Sequence, residues 1–183
     1  MSAITWIIIV VVILIIWLVS QYNGLISVRN RCDHAWAQID VMLTKRFDLI
    51  PNLVEAVKGY AAHEKELFAK IAEARSLMTN ATGVKEQAQA DNMLSGTLKT
   101  LFAVAEAYPE LKADTSFLNL QKELSDIETK ISYQRQFYND AVYAFNTSIE
   151  QFPGNIVAGM FHFTQKEFFK AEETQRQNVK VQF

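Results

Sequence analysis

The first 28 residues of the chain contain no charged side chain, and this segment restricts what the chain can fold into more than any other. Between Ile4 and Val19 the only polar side chain is that of Thr5. With its neighbours the run is about 20 residues long, and about 20 residues of helix span the hydrocarbon core of a bilayer. A cleaved signal peptide would have basic residues before the run and a small-x-small site after it, and the sequence has neither. Residues 1–23 are therefore predicted to form a transmembrane anchor.

Two tryptophans lie near the two ends of the apolar run, where indole rings favour the headgroup level of a bilayer. The side chains expected to lie in the membrane include Ile4, Trp6, Ile9, Leu14, Trp17 and Val19. A buried core helix is the alternative, but a terminal helix that is apolar on all its faces is seldom a core helix. Arg29 and Arg31 follow the run and no Lys or Arg precedes it. The positive-inside rule then predicts a single-pass inner-membrane protein with its N-terminus outside and the remainder in the cytoplasm.

The rest of the chain has the composition of a soluble domain. Residues 29–183 hold all 18 Lys and Arg and all 20 Asp and Glu residues, about a quarter of that segment and a normal charged share. A net charge of −2 argues against a nucleic-acid partner, because such binding needs a basic surface. A single cysteine excludes an internal disulfide.

Apolar residues recur at helical spacing through almost the whole of this second part. Stripes with intervals of three and four run through residues 25–43, 53–78, 94–108 and 117–145, which is the pattern of helices that bury one face. The predicted fold class is all-α: the anchor continues into an antiparallel four-helix bundle over residues 24–151. A Phe-rich segment and an extended tail follow over residues 152–183.

The helix ends are predicted from proline, glycine and capping residues. Pro51 removes a backbone donor and should end or kink the first helix near Leu49–Ile50. Residues 80–83 mark a loop. Pro109 should end the third helix, after which Asp114, Thr115 or Ser116 caps the fourth, and Pro153-Gly154 ends it. Only Gly24 opposes helix between the anchor and Arg29, so anchor and first helix are expected to be continuous.

The sequence lacks the patterns of common catalytic sites. It has no dinucleotide-binding or phosphate-binding glycine loop and no nucleophile elbow. His63-Glu64 begins like a zinc-protease motif but lacks the second histidine, and no Glu-x-x-His pair is present to hold two irons. The prediction is a protein that is not an enzyme, with no catalytic, cofactor-binding or metal site.

Several polar residues and prolines stand in unusual positions along the helices. One interpretation is that they form caps and interhelical hydrogen bonds that set the helix register; the other is a buried polar site for a ligand. The first is favoured, because no histidine or convergent carboxylates accompany them. They are Asp48, Pro51, Glu106, Tyr108, Pro109, Tyr138, Asn139 and Asn146.

The C-terminal part is rich in phenylalanine and ends in an alternating pattern. Residues 152–169 either cap the bundle or form an apolar patch that docks on lipid or a partner. In residues 179–183 apolar and polar side chains alternate, which is the period of an extended strand. Its apolar side chains either lie in a groove between the helices or dock on a second copy or a partner, and docking is favoured. The docking candidates are Phe161, Phe163, Phe168, Phe169, Val179, Val181 and Phe183.

Long segments of the sequence resemble the LemA family. The matching motifs are Ala35–Val41, Asp48–Tyr60, Ala105–Ala113, Tyr138–Val142 and Phe152–Ala158. The chain departs from the family pattern at Lys45-Arg46, where Arg-Arg is usual, and at Phe145-Asn146, where a second Tyr-Asn is common. The resemblance implies a bacterial membrane protein with an outside N-terminus and a helical-bundle domain, and it implies no particular activity.

These observations predict a single-pass, membrane-anchored scaffold or adaptor that contacts the lipid bilayer. It would bind an unknown membrane protein or further copies of itself, without catalysis. The alternative is a membrane-bound sensor that binds a small ligand between the helices. A large apolar protein interface would favour the scaffold, and a small molecule inside the bundle would favour the sensor.

Overall fold

The computed structural model describes residues 3–170, and these residues form six helices connected by short segments. The helices are α1 (Ala3–Lys58), α2 (Lys65–Asn80), α3 (Val84–Ala105), α4 (Pro109–Ala113), α5 (Thr115–Glu150) and α6 (Gly154–Met160). Residues 3–170 contain no strand. The all-α prediction is confirmed, whereas the arrangement as an antiparallel four-helix bundle stays a prediction. Val179, Val181 and Phe183 lie outside the described residues.

Helix α1 runs without interruption from the apolar segment into the charged part of the chain. The predicted continuity of anchor and first helix is confirmed. Of the two outcomes predicted near Leu49–Ile50, an end or a kink, the end is wrong, because the helix continues through Pro51 to Lys58. Proline costs one backbone hydrogen bond at this position. Full burial of Ile50, Leu53 and Val57 on the helix around it offsets that cost, because each buried aliphatic side chain contributes about 1.5–3 kcal/mol.

The break between the first two helices falls at residues 59–64 instead. Val57, Tyr60 and Leu67 keep helical spacing across this segment, so the apolar stripe concealed the turn. The backbone leaves the helix with Tyr60 N and Ala61 N both donating to Val57 O, at 3.1 and 2.8 Å. Gly59 is the residue with the weakest helix propensity in this part of the chain. Periodicity alone could not place this turn.

The later helix boundaries agree more closely with the sequence. Helix α3 ends at Ala105, and Pro109 is the first residue of the short helix α4, where its missing N–H costs nothing. Of the three candidate caps for α5, Asp114 is the one that bonds: Phe117 N donates to Asp114 Oδ1 at 2.9 Å. Helix α5 then ends at Glu150, just before Pro153-Gly154.

The chain divides into two compact units. Among the described residues, the first unit contains those up to Gln38 together with Gln136–Glu167. The second contains Ile39–Arg135 and the described residues from Phe168 to Lys170. The predicted division into anchor, bundle and C-terminal segment at residues 23 and 151 stays a prediction.

Each unit has its own buried apolar side chains. In the second unit α2 packs against α3, and the core there includes Leu53, Ile71, Leu94, Leu101, Leu111 and Leu124. In the first unit the buried side chains include Leu25, Cys32, Tyr138, Val142, Phe145 and Val157. Cys32 is fully buried among them.

Candidate membrane anchor and interaction surfaces

The first part of α1 has the length and composition of a membrane span. Its most apolar window of 18 residues has a mean hydropathy of 3.0, and none of that window is buried within the protein. A core helix of a soluble domain would be covered by its own chain, so the exposure of Ile4, Leu14 and Trp17 argues against that alternative. The segment is a candidate membrane anchor.

An aromatic cluster in the first unit surrounds the helix just after this apolar run. The ring centroids of Tyr22 and Phe161 are 4.6 Å apart, and those of Tyr22 and Phe163 are 5.9 Å apart. Phe163 also lies 6.3 Å from Phe145 of α5, and the guanidinium of Arg29 lies 5.6 Å from the Phe163 ring centroid. The segment after α6 therefore packs on α1 directly beyond the candidate anchor.

The same C-terminal segment, residues 161–167, is hydrogen-bonded to α5 through two of the polar residues identified in the sequence. Lys166 N donates to Asn146 Oδ1 at 2.9 Å, and Asn146 Nδ2 donates to Lys166 O at 3.0 Å. Tyr138 Oη donates to Glu167 O at 2.9 Å. The Lys166 ammonium also pairs with Asp33 Oδ1 of α1 at 2.6 Å. These bonds give the backbone N–H and C=O groups of residues 166–167 partners that water would otherwise supply.

The environment of Tyr138 is apolar and also carries negative charge. Burial, and to a smaller extent the neighbouring Cys32, Asp33 and Glu167, together raise the pKa of Tyr138 to about 12. Burial likewise raises the pKa of the Cys32 thiol, against a smaller lowering by Lys166. Both groups are therefore neutral at physiological pH, and Cys32 is not a candidate nucleophile.

The remaining polar residues singled out in the sequence lie elsewhere. Asp48 is exposed on α1, and Pro51 is half-buried within the same helix. Glu106 is exposed and accepts from Lys112 Nζ at 2.5 Å. Tyr108 and Pro109 stand at the start of α4. Asn139 is half-buried on α5. Asp48, Glu106 and Tyr108 belong to the second unit, and Tyr138 and Asn146 belong to the first.

A buried charge cluster in the second unit was not predicted from the sequence. None of the Asp91 side chain is exposed, and Arg46 Nη1 donates to Asp91 Oδ1 at 2.7 Å. Arg135 Nη2 pairs with Asp91 Oδ2, and Arg46 Nη2 with Glu128 Oε2 at 2.8 Å. The cluster joins α1, α3 and α5. The available signal was position: Asp91 lies three residues before Leu94, on the apolar stripe of α3.

A groove of about 220 Å³ lies beside this cluster in the second unit. Its polar lining includes Arg46, Ser95, Lys99, Gln121 and Glu128. The Nε atom of Arg46 is buried and has no hydrogen-bond partner in the described part of the chain. Residues 3–170 contain no group of three or more His, Cys, Asp or Glu residues with metal-binding geometry.

The phenylalanine docking candidates differ in exposure. Phe161 and Phe168 are exposed and Phe163 is half-buried. Phe169 is only 2% exposed, and the Arg135 guanidinium lies 4.6 Å from its ring centroid. The Phe169 ring is thus largely covered by its own chain. Docking through the other residues stays a prediction.

Comparison with known proteins places the chain in a family. The sequence model of the LemA family matches residues 35–183. Magnetosome protein MamQ 2 of Paramagnetospirillum magneticum is 24% identical over 87% of this chain and 68% of its own length. Protein LemA of Metamycoplasma hominis is 28% identical over 88% of this chain and 74% of its own length. Magnetosome protein MamQ of Magnetospirillum gryphiswaldense is 21% identical over 83% of this chain and 65% of its own length.

The family model covers all five motifs on which the resemblance in the sequence rests, from Ala35 to Ala158. It begins after the candidate anchor and takes in the buried charge cluster and the hydrogen-bonded segment at residues 161–167. The chain belongs to the LemA family.

Proposed function

We propose that this protein is a single-pass, membrane-anchored scaffold or adaptor, which binds a protein partner or further copies of itself and performs no catalysis. The observation that carries the proposal is helix α1. One unbroken helix has an uncovered apolar first part and, further along, the buried side chains Ile50, Leu53 and Val57. Such a helix connects the candidate membrane anchor to the folded part of the chain without a flexible linker.

The contacts of the C-terminal segment support a structural role. Bonds to Asn146 and Tyr138 and the ion pair with Asp33 fasten residues 166–167 to the helices of the first unit. The chain beyond that point begins with the exposed ring of Phe168 and leads to the alternating tail. An exposed aromatic ring directly after a segment that is hydrogen-bonded in place suits docking of Phe168 on a partner. The names of two relatives denote membership of the magnetosome and not a reaction.

The proposal includes an orientation, with the N-terminus outside and the body in the cytoplasm. Arg29 and Arg31 are both exposed and lie within about 20 residues of the end of the apolar run, where basic residues set the orientation. No Lys or Arg precedes the run.

The test is recovery of the full-length protein from membranes in mild detergent, with measurement of the mass of the complex. We expect a mass above that of one copy, and we expect deletion of residues 179–183 and Phe168→Ser to reduce it. Leu77→Ser, which alters an equally exposed apolar residue on α2, is the matched control and should leave the complex intact. A mass of one copy at micromolar concentration, unchanged by all three variants, would contradict the proposal.

The groove beside Arg46 favours a second candidate, a sensor for a small polar ligand. Six polar side chains line it, and the buried Nε atom of Arg46 has no hydrogen-bond partner among residues 3–170. Native mass spectrometry of the purified protein would then show an additional small mass that Lys99→Ala and Gln121→Ala weaken. The absence of any bound mass, with protein partners present, would favour the scaffold.

A further inference from the structure

The α5–α6 turn and α6 form an apolar surface that no described part of the chain covers. No Lys, Arg, Asp or Glu occurs from Gln151 to Gln165. Gly154, Val157 and Ala158 of α6 are buried, whereas Ile156 and Met160 are one helical turn apart on the other side. The uncovered members, here called the α6 surface, are Phe152 at 79% exposed, Met160 at 58%, Ile156 at 49% and Phe161 at 47%.

Two contacts within the first unit fix the level of α6 along α1. The Phe161 ring lies 4.6 Å from that of Tyr22, and a Cβ atom on Gly154 would stand 3.9 Å from Leu25 Cδ2. Ser20 is the first polar residue after the apolar run. Tyr22 and Leu25 follow it by two and five residues, hence by about 3 and about 7.5 Å at the helical rise of about 1.5 Å per residue.

This level coincides with the headgroup layer of a bilayer that the anchor spans. The hydrocarbon core is about 30 Å thick and the whole bilayer about 40–45 Å, which leaves about 5–7.5 Å of headgroup on each side. A surface between about 3 and about 7.5 Å beyond the apolar run lies within that layer. Its apolar and aromatic side chains are of the kind that bind there.

The direction of α6 also suits the plane of the membrane. Seven residues of helix are about 10 Å long, yet the two ends of α6 differ in level along α1 by only about 4.5 Å. Helix α6 therefore runs more across α1 than along it. An interfacial helix lies in the membrane plane and buries its apolar face about 5–10 Å into the boundary between headgroups and acyl chains.

We propose that the α6 surface is a second membrane contact, which inserts into the headgroup region of the leaflet from which α1 emerges. The inference rests on the membrane-anchor part of the proposed function. The occupant is lipid because the surface adjoins the anchor at Tyr22, lies at headgroup depth and carries no charge. Two attachments on one unit hold that unit at a defined distance and orientation from the bilayer, which a single helix does not.

The test measures contact with lipid directly in the full-length protein. Single cysteines replace Met160, Ile9 or Leu77 in a Cys32→Ala background, and each carries an environment-sensitive fluorophore. The proteins are reconstituted in phosphatidylcholine vesicles with a minor fraction of phosphatidylglycerol, with or without lipids that carry a nitroxide quencher near the top of the acyl chain. Circular dichroism verifies the helical content of each variant.

Because an interfacial face reaches about 5–10 Å into the boundary between headgroups and acyl chains, the level of the quencher, the probe at Met160→Cys should lose much of its fluorescence to the quencher. The probe at Leu77→Cys, an exposed apolar position on α2, should lose almost none. The probe at Ile9→Cys reports the anchor and should be quenched as well. Quenching at position 160 that disappears when Phe152 and Ile156 are replaced by Ser would further support the α6 surface as the contact.

Three results would overturn the inference. If position 9 is quenched and position 160 has the emission of a water-exposed probe, α6 does not touch lipid, although the anchor stands. If the probe at position 160 is shielded from water but not quenched, a second copy or a partner covers the surface. If position 9 itself is not quenched, both the anchor and this second contact are wrong.

Discussion

At the level of single residues, the carboxylate of Asp91 is held out of solvent between the guanidinium groups of Arg46 and Arg135. Removing a charge from water is costly, and only close partners of opposite sign offset that cost. Glu128 completes the set by pairing with Arg46 and accepting from Ser95 Oγ at 3.3 Å. The arrangement links three helices that are distant in sequence and makes each charge dependent on the others.

The first prediction concerns Asp91→Asn. Loss of this charge leaves Arg46 without its closest partner in a buried site, so we expect the free energy of unfolding to fall by about 3–5 kcal/mol. Urea unfolding of the detergent-solubilised full-length protein measures it. Glu66→Gln, which breaks the exposed pair with Lys70 on α2, is the control and should leave the curve in place. An Asp91→Asn curve that overlays the parent would show that the cluster does not stabilise the fold.

The second prediction concerns Tyr138→Phe. At neutral pH the variant loses the bond to Glu167 O, which should lower stability by about 1 kcal/mol. The folded-state pKa of Tyr138, about 12, lies above the ordinary value of about 10. The neutral hydroxyl therefore stabilises the folded state fully below about pH 10, and this contribution is lost as the pH rises towards about 12.

Stability measured by urea unfolding at a series of alkaline pH values should consequently fall less steeply for Tyr138→Phe than for the parent. Tyr143→Phe on the same helix removes an exposed hydroxyl, and at neutral pH its stability should equal that of the parent. Parallel curves for the parent and Tyr138→Phe would mean that Tyr138 does not titrate as its surroundings require.

At the level of elements, the first and the last part of helix α1 are kept helical by different interactions. Its first part needs no partner within the chain, because an apolar run in lipid satisfies its own backbone hydrogen bonds. Its last part includes a proline that weakens the helix, and the buried side chains on either side keep it helical. Local propensity and tertiary packing therefore oppose each other at Pro51, and packing prevails.

The third prediction follows from this opposition. Pro51→Ala restores the missing backbone donor, and alanine is about 3 kcal/mol more favourable than proline inside a helix. We expect a gain in unfolding free energy of up to that amount. Pro109→Ala is the matched control: at the first position of α4 the proline N–H has no helical partner to lose, so stability should hardly change. A loss of stability in Pro51→Ala would show that the proline ring contributes packing that outweighs the hydrogen bond.

The fourth prediction concerns the start of α6. A Cβ atom on Gly154 would stand 2.1 Å from the backbone oxygen of Ser148, so Gly154→Ala forces the turn and α5 apart. Strain of this kind costs about 1–3 kcal/mol, and the melting temperature should fall. Gly159→Ala in the same helix meets nothing within 4 Å and should preserve or slightly raise it. Equal melting temperatures for the two variants would mean that the α5–α6 turn yields without cost.

At the level of the whole molecule, each of the two compact units combines segments that are distant in sequence. Helices α1 and α5 each contribute residues to both units. The function proposed for the chain depends on the side of the membrane on which the residues after the candidate anchor lie, because only partners on that side can reach them.

The fifth prediction tests that side. Thr82 is exposed in the segment between α2 and α3, so Thr82→Cys presents a thiol to the compartment that holds the body. A membrane-impermeant maleimide should not label this variant on intact cells, and it should label it after permeabilisation. The parent protein is the control, because Cys32 is fully buried and should stay unlabelled throughout. Strong labelling of Thr82→Cys on intact cells would reverse the proposed orientation.

The sequence alone was enough for the all-α class, the position of the candidate anchor and its continuity with the first helix, since these depend on the composition and spacing of neighbouring residues. The turn at residues 59–64 was hidden because its residues keep helical spacing. The ion pair between Arg46 and Asp91 joins residues 45 positions apart, and the bonds from Asn146 reach residue 166. A periodic pattern says which face of a helix is buried but not which distant side chain covers it. Those partners became known only from the folded chain, because the low polarity of a buried site makes each polar group depend on whichever group lies next to it.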